Sequence, residues 1–294
     1  MMTDRELTAQ IERVEKRDDL VPDVPVVTIT PERQLRLLFR EIWGYRELLF
    51  FFVWRDIKVR YKQTALGAAW AIIQPLLTMV VFTAIFNRVA RIGSAGIPYP
   101  VFAFSGLLIW TLFGGALQRS IQSLVSSAPL ITKVYFPRLI IPVAATFSAT
   151  IDFAIAFMIL MVMAIAVGLG PTWRIVAFPG FVVLALLNAI ALGLWLSALN
   201  VRYRDVGHAV PFLVQIWMFV SPVAYPITLV PERWRAFYAL NPMVGPIEGF
   251  RWAILAKPMP DPQTIMVNAG VTLLLFIWGL SYFRRAERAF ADVI

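Results

Sequence analysis

The sequence predicts an all-α membrane protein with six transmembrane helices. The first observation is composition: 59% of the 294 residues are hydrophobic and only 15% are charged, whereas a soluble domain has about 45–50% apolar and roughly 25% charged residues. The second is that the apolar residues form six long stretches free of Asp, Glu, Lys and Arg. Together these observations exclude a soluble enzyme and a nucleic-acid-binding module.

Each of the six stretches is close to or above the roughly 20 residues that a transmembrane helix needs. They cover residues 63–87, 92–118, 153–173, 175–201, 209–231 and 262–283. The third extends back to Leu139 if Asp152 is tolerated inside it, and the fifth contains three prolines. The bounds of these two are therefore the least well defined by the sequence.

Basic residues predict the orientation, because cytoplasmic loops carry an excess of Lys and Arg. With a cytoplasmic N-terminus, twelve such residues near the span ends lie inside and seven lie outside. The inner set is Arg55, Lys58, Arg60, Lys62, Arg119, Lys133, Arg138, Arg202, Arg204, Arg284, Arg285 and Arg288. Both termini are therefore expected in the cytoplasm, and the net charge of +9 is explained by membrane loops without a nucleic-acid partner.

Four segments are predicted along the chain. Residues 1–45 form a cytoplasmic extension that is expected to be partly disordered. It is not expected to be a signal peptide, since residues 1–19 carry ten charges and lack a continuous apolar core. Residues 46–63 form an amphipathic interface helix, residues 64–284 the six-helix transmembrane domain, and residues 285–294 a cytoplasmic tail.

The interface helix is predicted from helical periodicity. Its apolar residues cover about one third of the helix circumference: Phe50, Val53, Trp54, Ile57 and Tyr61. Trp54 would enter the acyl boundary, and basic residues would meet anionic headgroups. These basic residues are Arg55, Lys58, Arg60 and Lys62. The alternative is a positively charged anchor for the first span, and the two readings are compatible.

The loop between the second and third spans is longer than topology requires. Pro129 and Pro137 bracket a possible short helix over residues 130–136. Such a helix in a cytoplasmic loop could dock into the groove of a partner. The alternative, which the residues alone favour, is a basic loop with interfacial aromatics. The candidate residues are Leu130, Ile131, Lys133, Tyr135, Phe136 and Arg138.

Two further features lie within or beside the spans. Asp152 would sit near the centre of the third span, where a lone acid is costly and must face protein or water. It is either a functional charge or, as we favour, a structural hydrogen-bonding group. Outside the fifth span, two short helices over residues 232–240 and 244–256 are expected to dip back and cap a pathway, because irregular backbone at membrane depth needs protein or water beside it.

The chain lacks the residues of several chemistries. It has no cysteine and one histidine, His208, so neither a thiolate nucleophile nor a metal site is expected. The pattern GxxxxGK[ST] is absent, so no P-loop ATPase is expected in this chain. A translocating subunit powered by a separate ATPase fits these observations better than an enzyme or a proton-driven carrier.

A series of motifs runs from residue 55 to the C-terminus. They include RYKQTALGAAW at 60–70, KVYFPR at 133–138, NVRYRD at 200–205, SPVAYP at 221–226 and FRRAER at 283–288. In order and spacing they closely resemble the membrane subunit of type-2 ABC exporters for polysaccharides and polyol phosphates, the family that exports O-antigen, capsule and teichoic-acid chains. The first 45 residues lie outside the resemblance.

The resemblance implies a homodimer in the bacterial cytoplasmic (inner) membrane, bound to two copies of a separate ABC ATPase. ATP and Mg²⁺ would bind to that partner, and this chain would bind no cofactor. The loop around residues 130–136 would be the coupling helix seated on the ATPase. The short helices after the fifth span would gate the periplasmic exit.

The implied substrate is a lipid-linked polysaccharide, most plausibly an O-antigen or capsule-type glycan. Aromatic rings can stack on the apolar faces of sugars without requiring one hydroxyl pattern, which suits a sliding polymer. The candidate path residues are Phe82, Phe86, Tyr99, Phe102, Trp110, Trp217 and Tyr225. The alternative is that these are ordinary interfacial or packed aromatics.

Two other functions remain open at this point. One is a type-2 ABC exporter subunit for a small molecule or lipid, which is expected to lack the combination of KVYFPR and NVRYRD. The other is a membrane enzyme or glycosyltransferase scaffold, which would need a cluster of acids or a metal site at one face.

Overall fold

The computed structural model describes residues 43–62, 67–94, 96–134, 136–170 and 172–290. All of them fall in the compact unit that begins at Arg40. Most of the predicted extension (residues 1–42), Gln63, Tyr135 and the last four residues lie outside the described residues. The predictions made for those positions stay predictions.

Helices joined by irregular connections make up the described part of the chain, which contains no strand. The all-α prediction is confirmed for these residues. The α-helices are α1 (Arg46–Lys62), α2 (Gly67–Phe82), α3 (Tyr99–Ser126), α4 (Ala128–Ile131), α5 (Ile140–Phe147), α6 (Thr150–Ala166), α7 (Phe178–Arg202), α8 (Val206–Val220), α9 (Glu232–Tyr238), α10 (Val244–Leu255) and α11 (Pro262–Ala286). A π-helical turn, Thr83–Val89, extends α2.

Five described segments are long and apolar enough to cross a membrane. They are Ile72–Val89, Tyr99–Ser126, Ile140–Ala166, Trp173–Arg202 and Pro262–Ala286. The fifth predicted span contains α8, whose 15 residues measure about 22 Å, less than the roughly 30 Å hydrocarbon core. Pro222 disfavours a helical conformation for the residue before it, and Ser221 is indeed extended, with φ −102° and ψ 153°.

The second span differs from its predicted bounds at both ends. Gly96, with φ 85°, makes a turn, and α3 begins only at Tyr99, with proline in its first turn. The helix then continues past Arg119 to Ser126. The helix accommodates the charged Arg119 because this side chain pairs with Asp152 of α6. At 28 residues, α3 is about 42 Å long and therefore extends beyond a hydrocarbon core.

The centre of the fold is α3, whose residues 101–116 are almost all buried. It packs along α7 and also contacts α5, α6 and α10. On its other side α7 packs along α11. This arrangement leaves one face of α3 directed toward α2 and α8, where the candidate site lies.

Glycine permits the close approach of α11 to α7. A Cβ atom at Gly279 would overlap the carbonyl oxygen of Ala191 and lie 3.2 Å from its carbonyl carbon. Backbone atoms cannot rotate away as a flexible side chain can. In contrast, Gly270 in the same helix has open space around it.

We therefore predict that Gly279→Ala lowers the free energy of unfolding by about 1–3 kcal/mol, the usual effect of overpacking. The matched variant Gly270→Ala is expected to raise it by up to about 1 kcal/mol, since alanine favours a helix over glycine. Thermal melting of the detergent-solubilised protein measures both. Equal melting temperatures for the two variants would contradict the close packing of α7 and α11.

Candidate functional site

A cavity of about 860 Å³ lies between α2, α3, α6 and α8. Its wall combines tryptophan rings with amide and hydroxyl groups. The residues that provide these groups are Trp70, Gln74, Thr78, Trp110, Thr111, Gln118 and Gln215. Arg119, Asp152 and His208 contribute polar and charged groups to the wall.

The polar residues of the wall recur at helical spacing. On α3, Thr111, Gly115 and Gln118 are three and four residues apart and share one face. On α2, Gln74 and Thr78 are four residues apart. A search for amides and hydroxyls with helical spacing inside the apolar stretches would have found this wall. Trp70 and the three glutamines were not among the predicted path residues, because the prediction rested on aromatics alone.

Of the seven aromatics predicted to line a path, Trp110 is the one that lines this cavity. Its ring meets that of Trp217 edge-on, with centroids 6.0 Å apart. Trp217 is not part of the cavity wall, and it donates its indole N–H to Asn241 over 3.1 Å. Phe82 is buried and packs against Phe86 and Phe219.

Three of the other predicted aromatics, Tyr99, Phe102 and Tyr225, make contacts that involve α3 or the segments that follow α8. Tyr99 is buried and donates its hydroxyl to the carbonyl of Ala224 over 2.7 Å. Phe102 is 0% exposed. The hydroxyl of Tyr225 lies 2.9 Å from that of Tyr238. Tyr99 and Phe102 are buried and do not line this cavity, and their assignment to a translocation path stays a prediction.

Arg251 is the largest fully buried side chain in the described part of the protein. Its Nη atoms donate to the carbonyls of Pro222 and Val223 over 2.5 and 2.6 Å. Nη1 also donates to Glu248 over 3.0 Å, and the guanidinium carbon lies 3.7 Å from the centroid of the Phe102 ring. Arg251 therefore joins α10, the segment 221–226 and α3. The sequence analysis counted it only as an outer basic residue.

Gly106 makes room for this contact. A Cβ atom there would lie 2.7 Å from the carbonyl oxygen of Val223 and would also meet the guanidinium of Arg251. The sequence contained no local signal for this role, because the contacting residues are more than a hundred positions apart.

A charged cluster lies at one end of the cavity and connects α1 to α3 and α6. Asp152 accepts hydrogen bonds from the Tyr61 hydroxyl and from Arg119, and it pairs with Nη1 of Arg60 at 2.8 Å. Arg119 also donates to the Ser148 hydroxyl over 3.2 Å. Burial, followed by the bond to Asp152, raises the pKa of Tyr61 to about 12. This bonding agrees with the structural role that the sequence analysis favoured for the acid.

The predicted interface helix is α1, and its side chains point in several directions. Trp54 is about half exposed, and the ammonium of Lys58 lies 5.5 Å from its ring. Arg55 pairs with Asp56 at 2.8 Å, and Lys62 is exposed. Arg60 turns toward Asp152, which corrects its expected orientation toward headgroups. Sequence periodicity could not reveal this partner on another helix.

The predicted short helix over residues 130–136 is wrong in its bounds. The helix is α4, Ala128–Ile131, because Pro129 occupies its first turn instead of preceding it. Thr132, Lys133 and Val134 follow as an exposed turn, which we name the coupling turn. Pro137 disfavours a helical conformation for the residue before it, which keeps Phe136 out of a helix.

The other predicted residues of this loop that the structure describes contact the protein. Ile131 and Phe136 are buried, while Leu130 is partly buried. The ring of Phe136 lies 5.6 Å from that of Phe52 in α1. Arg138 donates to residue Glu287 near the C-terminus. Lys133 is thus the predicted docking cation that remains exposed.

Comparison with known proteins gives consistent matches. The family model described as ABC-2 type transporter matches residues 47–255. An O-antigen export system permease protein of Myxococcus xanthus is 34% identical over 260 residues, covering 87% of this chain and 99% of that protein. A Klebsiella pneumoniae protein of the same description is 26% identical over 249 residues, covering 84% and 95%. An Escherichia coli polysialic acid transport protein is 22% identical over 238 residues, covering 80% and 92%.

Asp152→Asn is expected to lower the free energy of unfolding by about 1–3 kcal/mol, because Arg60 and Arg119 lose their shared counter-charge. The shift in melting temperature of the detergent-solubilised protein measures this change. The control is Asp205→Asn, at an exposed acid, where we expect an effect within about 0.5 kcal/mol. Indistinguishable melting of the two variants would show that the cluster adds no stability.

Proposed function

The chain belongs to the ABC-2 type transporter family, and we propose that it is the membrane subunit of an ATP-driven exporter that moves a lipid-linked polysaccharide from the cytoplasmic to the periplasmic side. The relatives named for O-antigen export and polysialic acid transport support an O-antigen or capsule-type glycan as cargo. The chain acts as a transport permease and leaves ATP hydrolysis to its partner.

The observation that carries this proposal is the chemistry of the cavity wall. Trp70, which is about half exposed, offers a flat apolar face that suits the C–H faces of sugar rings, whereas Trp110 lines the cavity with a ring that is only 4% exposed. Gln74, Gln118 and Gln215 offer amides that both donate and accept hydrogen bonds, as sugar hydroxyls do. An apolar small molecule would gain little from three amides, whereas a polyhydroxylated chain can exchange one hydroxyl for the next as it moves.

The proposed partners follow from the sequence motifs that the chain has and lacks. It has no GxxxxGK[ST] pattern, so a separate ABC ATPase supplies the site for ATP and Mg²⁺. We place the docking surface of that ATPase at the coupling turn, where Lys133 is exposed beside the buried Ile131 and Phe136. The assembly is a homodimer of this chain with two ATPase copies, in the bacterial inner membrane, with both termini in the cytoplasm.

The helices outside the spans complete the proposal. We assign α1 to the cytoplasmic membrane interface, since Phe50 and Trp54 are exposed and stacked there. We assign α9 and α10 to the periplasmic exit, where they form a short re-entrant cap. The Arg251 contact ties this cap to α3 and to the segment 221–226.

Thr111→Phe is expected to reduce glycan export about tenfold, equivalent to about 1.4 kcal/mol on the barrier, because the added ring enters the cavity. Thr111 is exposed toward that space, so the variant should insert and assemble normally. Export is measured on intact cells by periodate oxidation and hydrazide labelling of surface glycan.

The matched control is Ala269→Phe, which adds a ring to an exposed position of α11 away from the cavity wall. It should export at the wild-type level. Equal export by the two variants would remove this cavity from the translocation path, while loss of export in Thr111→Phe alone would support it.

Lys133→Glu is expected to weaken ATPase binding by roughly threefold to tenfold, because it reverses a charge at the proposed docking surface. The amount of ATPase that co-purifies with the tagged permease, measured at two salt concentrations, reports this change. Arg88→Glu, an exposed cation on the other side of the predicted topology, is the control. Wild-type recovery of the ATPase with Lys133→Glu would overturn the docking assignment.

A further inference from the structure

The end of the coupling loop contacts the C-terminal end of the last span. The backbone N–H of Arg138 donates to the Glu287 carboxylate over 3.1 Å. Nη1 of Arg138 donates to the backbone carbonyl of Glu287 over 2.7 Å. Arg138 is the donor in both hydrogen bonds: its backbone bonds to the Glu287 side chain and its side chain bonds to the Glu287 backbone, which together restrain the distance and the orientation between these residues.

Apolar packing supports the same contact. Phe290 is 2% exposed, and its ring meets that of Phe283 in α11 with centroids 5.5 Å apart. The Arg138 guanidinium lies 6.0 Å from the centroid of the Phe290 ring. Glu287 and Phe290, which follow α11, therefore contact the loop that leads into α5.

The loop is also fixed on the side of α1. The Phe136 ring packs on Phe52, and the guanidinium of Arg55 lies 4.9 Å from the centroid of the Phe52 ring. The coupling turn itself is exposed, while the residues that follow it are held from two sides. A displacement of the turn would therefore reach α5, which begins two residues after Arg138, and α11 together.

We propose that Arg138 and Glu287 form a strut that transmits movement of the coupling turn to the last span. Arg138 is then a positioning residue that acts within this chain, and the docking cation is Lys133. The inference rests on the proposed function, because the movement comes from the separate ATPase. It adds the C-terminal segment to the machinery that couples ATP hydrolysis to export.

The test uses the permease–ATPase complex in proteoliposomes, with lipid-linked glycan extracted from the cells that make it. The readout is glycan transferred into the lumen, where external periodate cannot reach it, per ATP hydrolysed. Glu287→Ala removes the acceptor of the Arg138 N–H, and Arg138→Met removes the guanidinium. Each is expected to lower the ratio roughly threefold to tenfold, the size of effect that a coupling residue produces.

Conservative variants test whether the expected loss of coupling comes from the hydrogen bonds between Arg138 and Glu287 or only from a change of charge. Glu287→Gln keeps an acceptor oxygen, and Arg138→Lys keeps a donor, so both should retain most of the wild-type ratio. Arg285→Met, at an exposed arginine near the end of α11, is the matched control and should behave as wild type. Wild-type ratios in Glu287→Ala and Arg138→Met would overturn the strut.

The absence of cysteine from this chain allows a direct rescue. In the variant R138C/E287C, a short bis-maleimide should restore the ratio that the unlinked variant loses. Failure of the linked complex to recover would also overturn the strut. If the wild-type complex itself binds no ATPase or transfers no glycan, the proposed function fails instead, so the two failures are distinguishable.

Discussion

The packing of α10, the segment 221–226 and α3 depends on the buried guanidinium of Arg251. A buried charge is tolerated only when it is paired and hydrogen-bonded, and Arg251 meets the carbonyls of Pro222, Val223 and Phe102 as well as Glu248. Pro222 and Val223 lie just beyond the C-terminal end of α8, and the same contacts give their carbonyls hydrogen-bond donors. The irregular segment 221–226 can therefore lie among helices, because its polar groups are bonded to protein.

A second set of paired charges lies at the cavity wall. Asp152 lies inside an apolar helix, and the cations from α1 and α3 make that position tolerable. The rest of the cavity wall contains amides, hydroxyls and tryptophan rings. The space through which we propose the glycan moves is therefore lined by uncharged polar groups together with this charged cluster, whose members are paired with one another.

The KVYFPR segment contains both exposed residues and residues that contact other parts of the chain. Of the residues in KVYFPR that the structure describes, Lys133 and Val134 are exposed, Phe136 is buried, and Arg138 is bonded to Glu287. The motif was predicted to form one docking surface, but it consists of an exposed part and a part that contacts the rest of the chain. The contacts of Phe136 with α1 and of Arg138 with Glu287 connect the residues that follow the exposed turn to two other parts of the chain.

The sequence by itself determined the membrane class, five of the spans and the family, because long apolar stretches and ordered motifs are local features of the chain. It also identified Asp152 as a residue that needs partners. Only the tertiary structure decided which partners these are, that Tyr99 and Phe102 are buried, and that Arg251 is enclosed by α3 and residues 221–226. The physical reason is distance along the chain: Arg251 and Ser105, or Asp152 and Tyr61, become neighbours only when the helices pack, and helical periodicity specifies a face without specifying what that face meets.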